Sequence, residues 1–153
     1  MRHRTELAAL AAVLTTLISA CATAPTQPAP VEAWFKVAIS GSAEAFVDTN
    51  AISRVGTLVD VRVKENYFTP RPAPKEGKTF QSARTDYRLD CAQRRVAMRL
   101  TEAFEGLELQ GNVVQKASRN DRNLIWMDAP RASVFGEILD YGCKNAPAAA
   151  LGG

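Results

Sequence analysis

Histidine is almost missing from this chain: one of 153 residues, and that one is His3. A domain formed from the remainder has no imidazole for Ser-His-Asp or Cys-His catalysis, nor for the usual zinc ligand sets. Cysteine is scarce too, three in all, with no C-x-x-C pair to make a redox motif. No serine is followed three residues on by lysine, and there is no glycine-rich phosphate loop, EF-hand spacing or internal repeat. Spacing singles out no pair of acids for glycosidic chemistry among sixteen Asp and Glu. These absences point to a protein that is not an enzyme and uses no cofactor or metal. Charge of one sign is also in short supply. A formal net charge of +3 is far from the clustered positive field of a nucleic-acid binder.

A long hydrophobic run is lacking as well. Leu7 to Ala20 is uncharged for 14 residues, whereas a membrane span needs about 20. Preceded by Arg2, His3 and Arg4, it fits a signal-peptide core. It ends Leu17-Ile18-Ser19-Ala20-Cys21, an aliphatic residue and two small ones before a cysteine, which resembles the bacterial lipobox. Residues 1–20 are therefore expected to be a lipoprotein signal peptide and Cys21 the lipidated residue. Lipid chains anchor at about 0.8 kcal/mol per buried CH₂. Ala22 stands where inner-membrane retention in enteric bacteria takes Asp, which favours the outer membrane, with the domain facing the periplasm or the cell surface. The alternative is an ordinary signal peptide, which shares every feature except the thiol.

Residues 21–32 follow as a tether: from Ala22 to Glu32 the chain has no aromatic and too little apolar surface to offset its ordering entropy. Residues 33–145 make one domain, and 146–153 a frayed tail. Removing residues 1–20 takes away Arg2, Arg4 and Glu6 and leaves +2. With Cys21 lipidated, Cys91 and Cys143 remain, and two thiols in one small exported domain are most simply a disulfide.

Thr57 to Lys64 alternates Val59, Val61 and Val63 with Asp60, Arg62 and Lys64, the period of a strand with one wet face. The preceding segment through Val55-Gly56 predicts a hairpin across residues 54–58. Residues 66–80 hold three prolines and read as a long loop or arm without a continuous ladder. From Ala83 to Cys91 the odd positions are apolar or small and the even ones charged, which predicts a strand with Tyr87, Leu89 and Cys91 inward. The phase then flips to Val96, Met98, Leu100 and Phe104, so a turn or bulge is expected at Ala92–Arg94. Val96, Leu100 and Phe104 also sit at helical spacing, which leaves that stretch open. Val113 and Val114 begin a further strand, and 123–127 is an apolar run closed by a turn at Asp128–Pro130. Phe135, Leu139 and Cys143 predict an amphipathic helix weakened by Gly136, at about 1 kcal/mol relative to Ala. The architecture is α+β: a small antiparallel meander with a C-terminal helix joined to it by a disulfide.

Candidate partner-binding residues are Tyr67, Phe68, Arg71, Lys75 and Lys78 in the arm, where exposed aromatics lie beside cations. A spacer with no partner is the competing reading. Arg94 and Arg95, with Arg99, could meet an acidic partner or form a solvated turn. Trp34 and Trp126 are expected in the core.

Ser82-Ala83-Arg84 followed by Tyr87-Arg88-Leu89-Asp90-Cys91-Ala92-Gln93-Arg94-Arg95 resembles the surface-adhesin protein E family of bacterial lipoproteins. Trp34, Val47-Asp48 to Arg54-Val55-Gly56, and Trp126 with Pro130 and Cys143 extend the resemblance over about residues 33–144. It implies an antiparallel sheet with helices, the Cys91 and Cys143 pair, export as a lipoprotein, and a strand at 95–104. It also implies adhesion to host extracellular-matrix protein. A periplasm-facing lipoprotein that holds another envelope component is the alternative function. Two departures are Arg62, where the family pattern leads us to expect an aromatic, and Pro130-Arg131-Ala132 in place of a Pro-Gly-Ser turn.

Overall fold

The computed structural model describes residues 32–148. The expected signal peptide, the lipidation at Cys21, the tether up to residue 31 and the tail from 149 lie outside the described residues. The alternating segments fold into eight strands: β1 (Trp34–Ile39), β2 (Ala43–Asp48), β3 (Ser53–Val55), β4 (Leu58–Pro72), β5 (Thr79–Asp90), β6 (Arg95–Phe104), β7 (Val113–Ser118) and β8 (Trp126–Asp128). One helix, α1 (Val134–Asn145), closes the domain. The sheet order is β1-β2-β4-β5-β6-β7, with β3 also on β4 and β8 also on β6, and every pairing is antiparallel. The β3–β4 hairpin turns at Gly56 and Thr57, where Val55 pairs with Leu58, as the sequence predicts.

The period-two pattern decides the layers. Val47, Val59, Val61, Val63, Tyr87, Leu89 and Val96 are buried on one face, and Ile138 and Leu139 of α1 cover them. Phe35 stacks on Tyr141 at 4.8 Å, and Tyr87 meets Phe135 edge-on at 5.8 Å. The Cys91–Cys143 disulfide ties the end of β5 to the last turn of α1. Among the described residues no α-helix covers the opposite face, whose side chains are the charged half of the alternation.

Four expectations change. The proline-rich segment is a hairpin, not a loop: β4 runs to Pro72, β5 starts at Thr79, and only residues 73–78 turn. Its prolines sit where the ladder is broken or ends. Pro70 lies in a bulge in which Tyr67 to Pro70 stand opposite Gln81 alone, Pro72 is in the last pair, and Pro74 is in the turn. The second change concerns phase. The turn at Ala92–Arg94 is present, with Asp90 accepting from the Gln93 amide and Arg94 at φ 51°. A second irregularity leaves Arg99 without a partner on β5, since Asp86 pairs with Leu100 and Tyr87 with Met98. Leu100 and Phe104 therefore stand on the opposite face from Val96 and Met98.

Third, neither tryptophan is in the core; both are half-buried on the charged face, Trp34 beside Lys64 and Trp126 beside Arg95. Their rings are used by cations rather than by the valine layer. Fourth, Gly136 is there for space. A Cβ at this position would lie 2.1 Å from the Pro130 carbonyl oxygen, the same oxygen that accepts from Ser133 Oγ at 2.7 Å. Ser133 caps α1 by accepting from the Gly136 amide at 3.0 Å. Gly136→Ala is expected to destabilise the domain by about 2 kcal/mol despite alanine's higher helix propensity. An unchanged urea midpoint would contradict the close approach.

Candidate functional site

Two regions gather side chains beyond what the core needs. The first is the arm, the distal half of the β4–β5 hairpin. Strand alternation puts Glu65 and Tyr67 on the helix-side face, past the N-terminus of α1. There Tyr67 joins Ala43 and Ala83 in a small second core, with Phe80 edge-on to its ring at 5.5 Å. The Tyr67 hydroxyl donates to Glu65 Oε2 at 3.2 Å. The Arg71 guanidinium lies 4.2 Å from the Tyr67 ring centroid and donates to Ser42 Oγ at 3.1 Å. Burial pushes the Glu65 carboxyl above its ordinary range, with the Tyr67 hydrogen bond opposing it. The Tyr67 hydroxyl is raised as well, by burial first and the Glu65 charge second. Glu65, Tyr67, Arg71, Ser42, Val134 and Phe135 line a cavity of about 190 Å³ at the base of the arm.

The expected arm residues thus divide. Tyr67 is 9% exposed, so it is an internal strut and not the exposed aromatic that the sequence suggested. Phe68, next along and turned to the other side within the bulge, is 52% exposed. Lys75 stands at the turn with no side-chain partner among the described residues. Lys78 pairs with Glu105 at 2.8 Å. Arg94 and Arg95 lie elsewhere, at the far end of β5, whose 12 residues span about 40 Å. Both are engaged: Arg94 grips Asp140 through two contacts, and Arg95 bonds Asp90 at 3.0 Å and covers Trp126. The structure does not bring the two basic groups together.

The second region is the charged sheet face, a network that depends on strand register and is not visible in the linear sequence. Register pairs Asp60 with Arg88 and Arg62 with Asp86. Arg88 holds Asp60 with two bonds of 2.7 and 2.8 Å and reaches Asp121 at 2.9 Å. Arg99, standing in the β6 bulge, completes a ring by bonding Asp60 at 2.9 Å and Asp121 at 3.2 Å. Arg62 grips Asp86 through Nε at 2.8 Å and a second nitrogen at 3.3 Å, so the departure at this position is filled by an ion pair. The like-charged cross-strand neighbours Lys64 and Arg84 are each neutralised, Lys64 by Glu108 and Arg84 by Glu102. The Lys116 and Arg84 hydrogen bonds hold the Glu102 carboxyl below the usual range, and Arg88 does the same for Asp121. Asn50, Ile52, Asp60, Arg62, Asp86 and Arg99 border a shallow cavity of about 360 Å³.

Among the described residues no group of His, Cys, Asp and Glu is placed to hold a metal ion, and no helix is long and apolar enough to cross a membrane. The site has the chemistry of a contact surface: an aromatic and a cation on a projecting hairpin, and a sheet face of compensated charge. A family model described as surface-adhesin protein E matches residues 34–144, which spans the whole sheet, the disulfide and α1. The chain belongs to the surface-adhesin protein E family. The family is one of surface adhesins, a non-enzymatic role. Two solved structures of Haemophilus influenzae protein E share the fold. One is 13% identical with a TM-score of 0.50, over 73% of this chain and 94% of that one. A second crystal form is 13% identical with a TM-score of 0.52, over 75% and 97%. No curated protein is similar in sequence. At such identity the protein E structures speak for the fold alone. Pro130-Arg131-Ala132 forms the turn into α1, with Ala132 at φ 58° and the Ser133 amide donating to the Pro130 carbonyl at 3.3 Å.

Proposed function

We propose that this protein is an outer-membrane lipoprotein that adheres to host extracellular-matrix protein through the β4–β5 arm. Cys21 carries the lipid, and the 12 residues from Cys21 to Glu32 tether the domain. Fully extended, such a tether reaches about 40 Å. The observation that carries the reading is the projecting hairpin itself: Phe68 is exposed on its β4 strand and Lys75 stands at its turn, while its base is braced by Tyr67, Arg71 and Phe80. A rigid support beneath an exposed aromatic reduces the ordering cost of binding. Arg71 stays bonded to Ser42 across the β1–β2 turn, so the arm is presented in one direction.

Solid-phase binding to laminin or vitronectin tests this at near-physiological salt. Wild-type domain is expected to bind saturably, and Phe68→Ser with Lys75→Ser is expected to weaken binding by about tenfold. Among the described residues neither side chain makes a hydrogen bond, ion pair or ring contact, so stability should change little. Wild type that fails to bind any matrix protein, or a double variant that binds as well as wild type, would overturn the assignment to the arm.

A further inference from the structure

The loop between β7 and β8 forms a basic concavity whose two outer arginines neither the fold nor the arm uses. Arg99, Arg119, Asn120, Asp121 and Arg122 line a depression of about 500 Å³. Asn120 is occupied locally, its side-chain oxygen accepting from the amides of Arg122 and Asn123. That turn sends the side chains of Arg119 and Arg122 into solvent, and among the described residues neither has a side-chain partner. Arg99 and Asp121 belong to the ring with Arg88 and Asp60. The four guanidiniums of this corner face two carboxylates, so two positive charges are left uncompensated, and both are on the rim.

From this arrangement we infer that the Arg99–Arg119–Arg122 concavity binds the sulfate or phosphate ester groups of an anionic polysaccharide. Guanidinium presents a planar fork that bonds two oxygens of a tetrahedral oxyanion at once, and it is weakly hydrated, so little is lost in displacing its water. Arg99 is already bonded to Asp60 and Asp121, and Arg88 also holds Asp121 in place. Arg119 and Arg122 have their forks free. A protein partner is the poorer fit, because the lining has no apolar or aromatic side chain to serve as a desolvated anchor. A glycan chain, polar along its length and charged at intervals, needs none. This site lies on the β7–β8 side of the sheet and is independent of the arm.

The test is affinity for immobilised heparin, with phosphorylated mannan as the phosphate-bearing counterpart and desulfated heparin, which keeps its carboxylates, as the control. Wild-type domain is expected to bind heparin or phosphomannan, and the ligand that binds tells sulfate from phosphate. Affinity should fall as salt rises. Arg119→Ala with Arg122→Ala is expected to weaken that binding by about tenfold or more. Arg131→Ala with Lys144→Ala removes the same charge from another surface and is expected to leave it nearly unchanged. Equal loss in the two double variants would reduce the effect to net charge and overturn the site. Equal binding of desulfated heparin, or no binding of either esterified polymer at low salt, would overturn it too.

Discussion

The Cys91→Ser, Cys143→Ser double variant is expected to lose about 4 kcal/mol of stability relative to the oxidised wild type. The bridged residues are 52 apart in sequence, so the bond removes a large share of the unfolded chain's freedom. Its position makes the loss felt in the native state as well. α1 is the only helix over the valine layer among the described residues, and the bond fixes its last turn to the end of β5. At that turn Gly142 lets the helix backbone approach Leu89 and Val61, where a Cβ would meet their methyls at 2.6 and 2.9 Å. Without the bond, a helix anchored at its start by the Ser133 cap can lift at its end and expose Val61 and Leu89. Urea unfolding with and without reductant measures the effect. A difference below about 1 kcal/mol would show that packing alone holds α1.

Arg88→Met should cost about 3 kcal/mol. Arg88 is buried on the charged face, and it supplies two of the bonds to Asp60 and one to Asp121. Methionine fills similar space but leaves Asp60, itself largely covered, to Arg99 alone. A second substitution, Asp60→Asn, removes the stranded charge, so the double variant should cost less than the two single losses summed. Strict additivity would mean that the pair is not coupled.

The ring also sets an acid limit. Asp121 is held below its ordinary range first by the Arg88 hydrogen bond, and Glu102 by Lys116 and then Arg84. A carboxyl with a lowered folded pKa contributes stability above its unfolded pKa and loses it as pH falls through the folded one. Wild type should therefore lose stability as acid takes these groups through and below the usual carboxylate range, and Arg88→Met should lose less over that interval. Parallel profiles would contradict a role for Arg88 in holding Asp121 ionised.

Much of the fold is readable residue by residue, and the failures share one cause. Strand alternation in 57–64 and 83–91 marks the buried face because each element has one wet side and one dry side. The phase error after Met98 arises because the bulge sits at Arg99, inside β6, where no glycine or proline advertises it. The proline-rich arm looks like a loop because proline removes a donor. It is a hairpin because those donors fall where the ladder is already interrupted. Gly136 looks like a weakness because propensity is local, whereas the Pro130 carbonyl that requires it is set by the turn into the helix.

The ion ring was present in the sequence as opposite signs at 60 and 62 and at 86 and 88. Reading it needed the β4–β5 register, which pairs Asp60 with Arg88 and Arg62 with Asp86. Arg99 and Asp121 join it from elements that no register between β4 and β5 predicts. In the arm, Tyr67 and Phe68 are adjacent, and alternation makes one internal and the other exposed. Composition treats them alike.

Protease shaving of intact cells is the most direct test of a lipid-anchored adhesin that faces outward. A tag placed after Gly153 reports access, a periplasmic protein controls for leakage, and permeabilised cells show that the tag can be cut. Loss of the tag from intact cells, with the periplasmic control untouched, is the predicted result. Loss only after permeabilisation would place the domain in the periplasm and contradict adhesion to a host matrix.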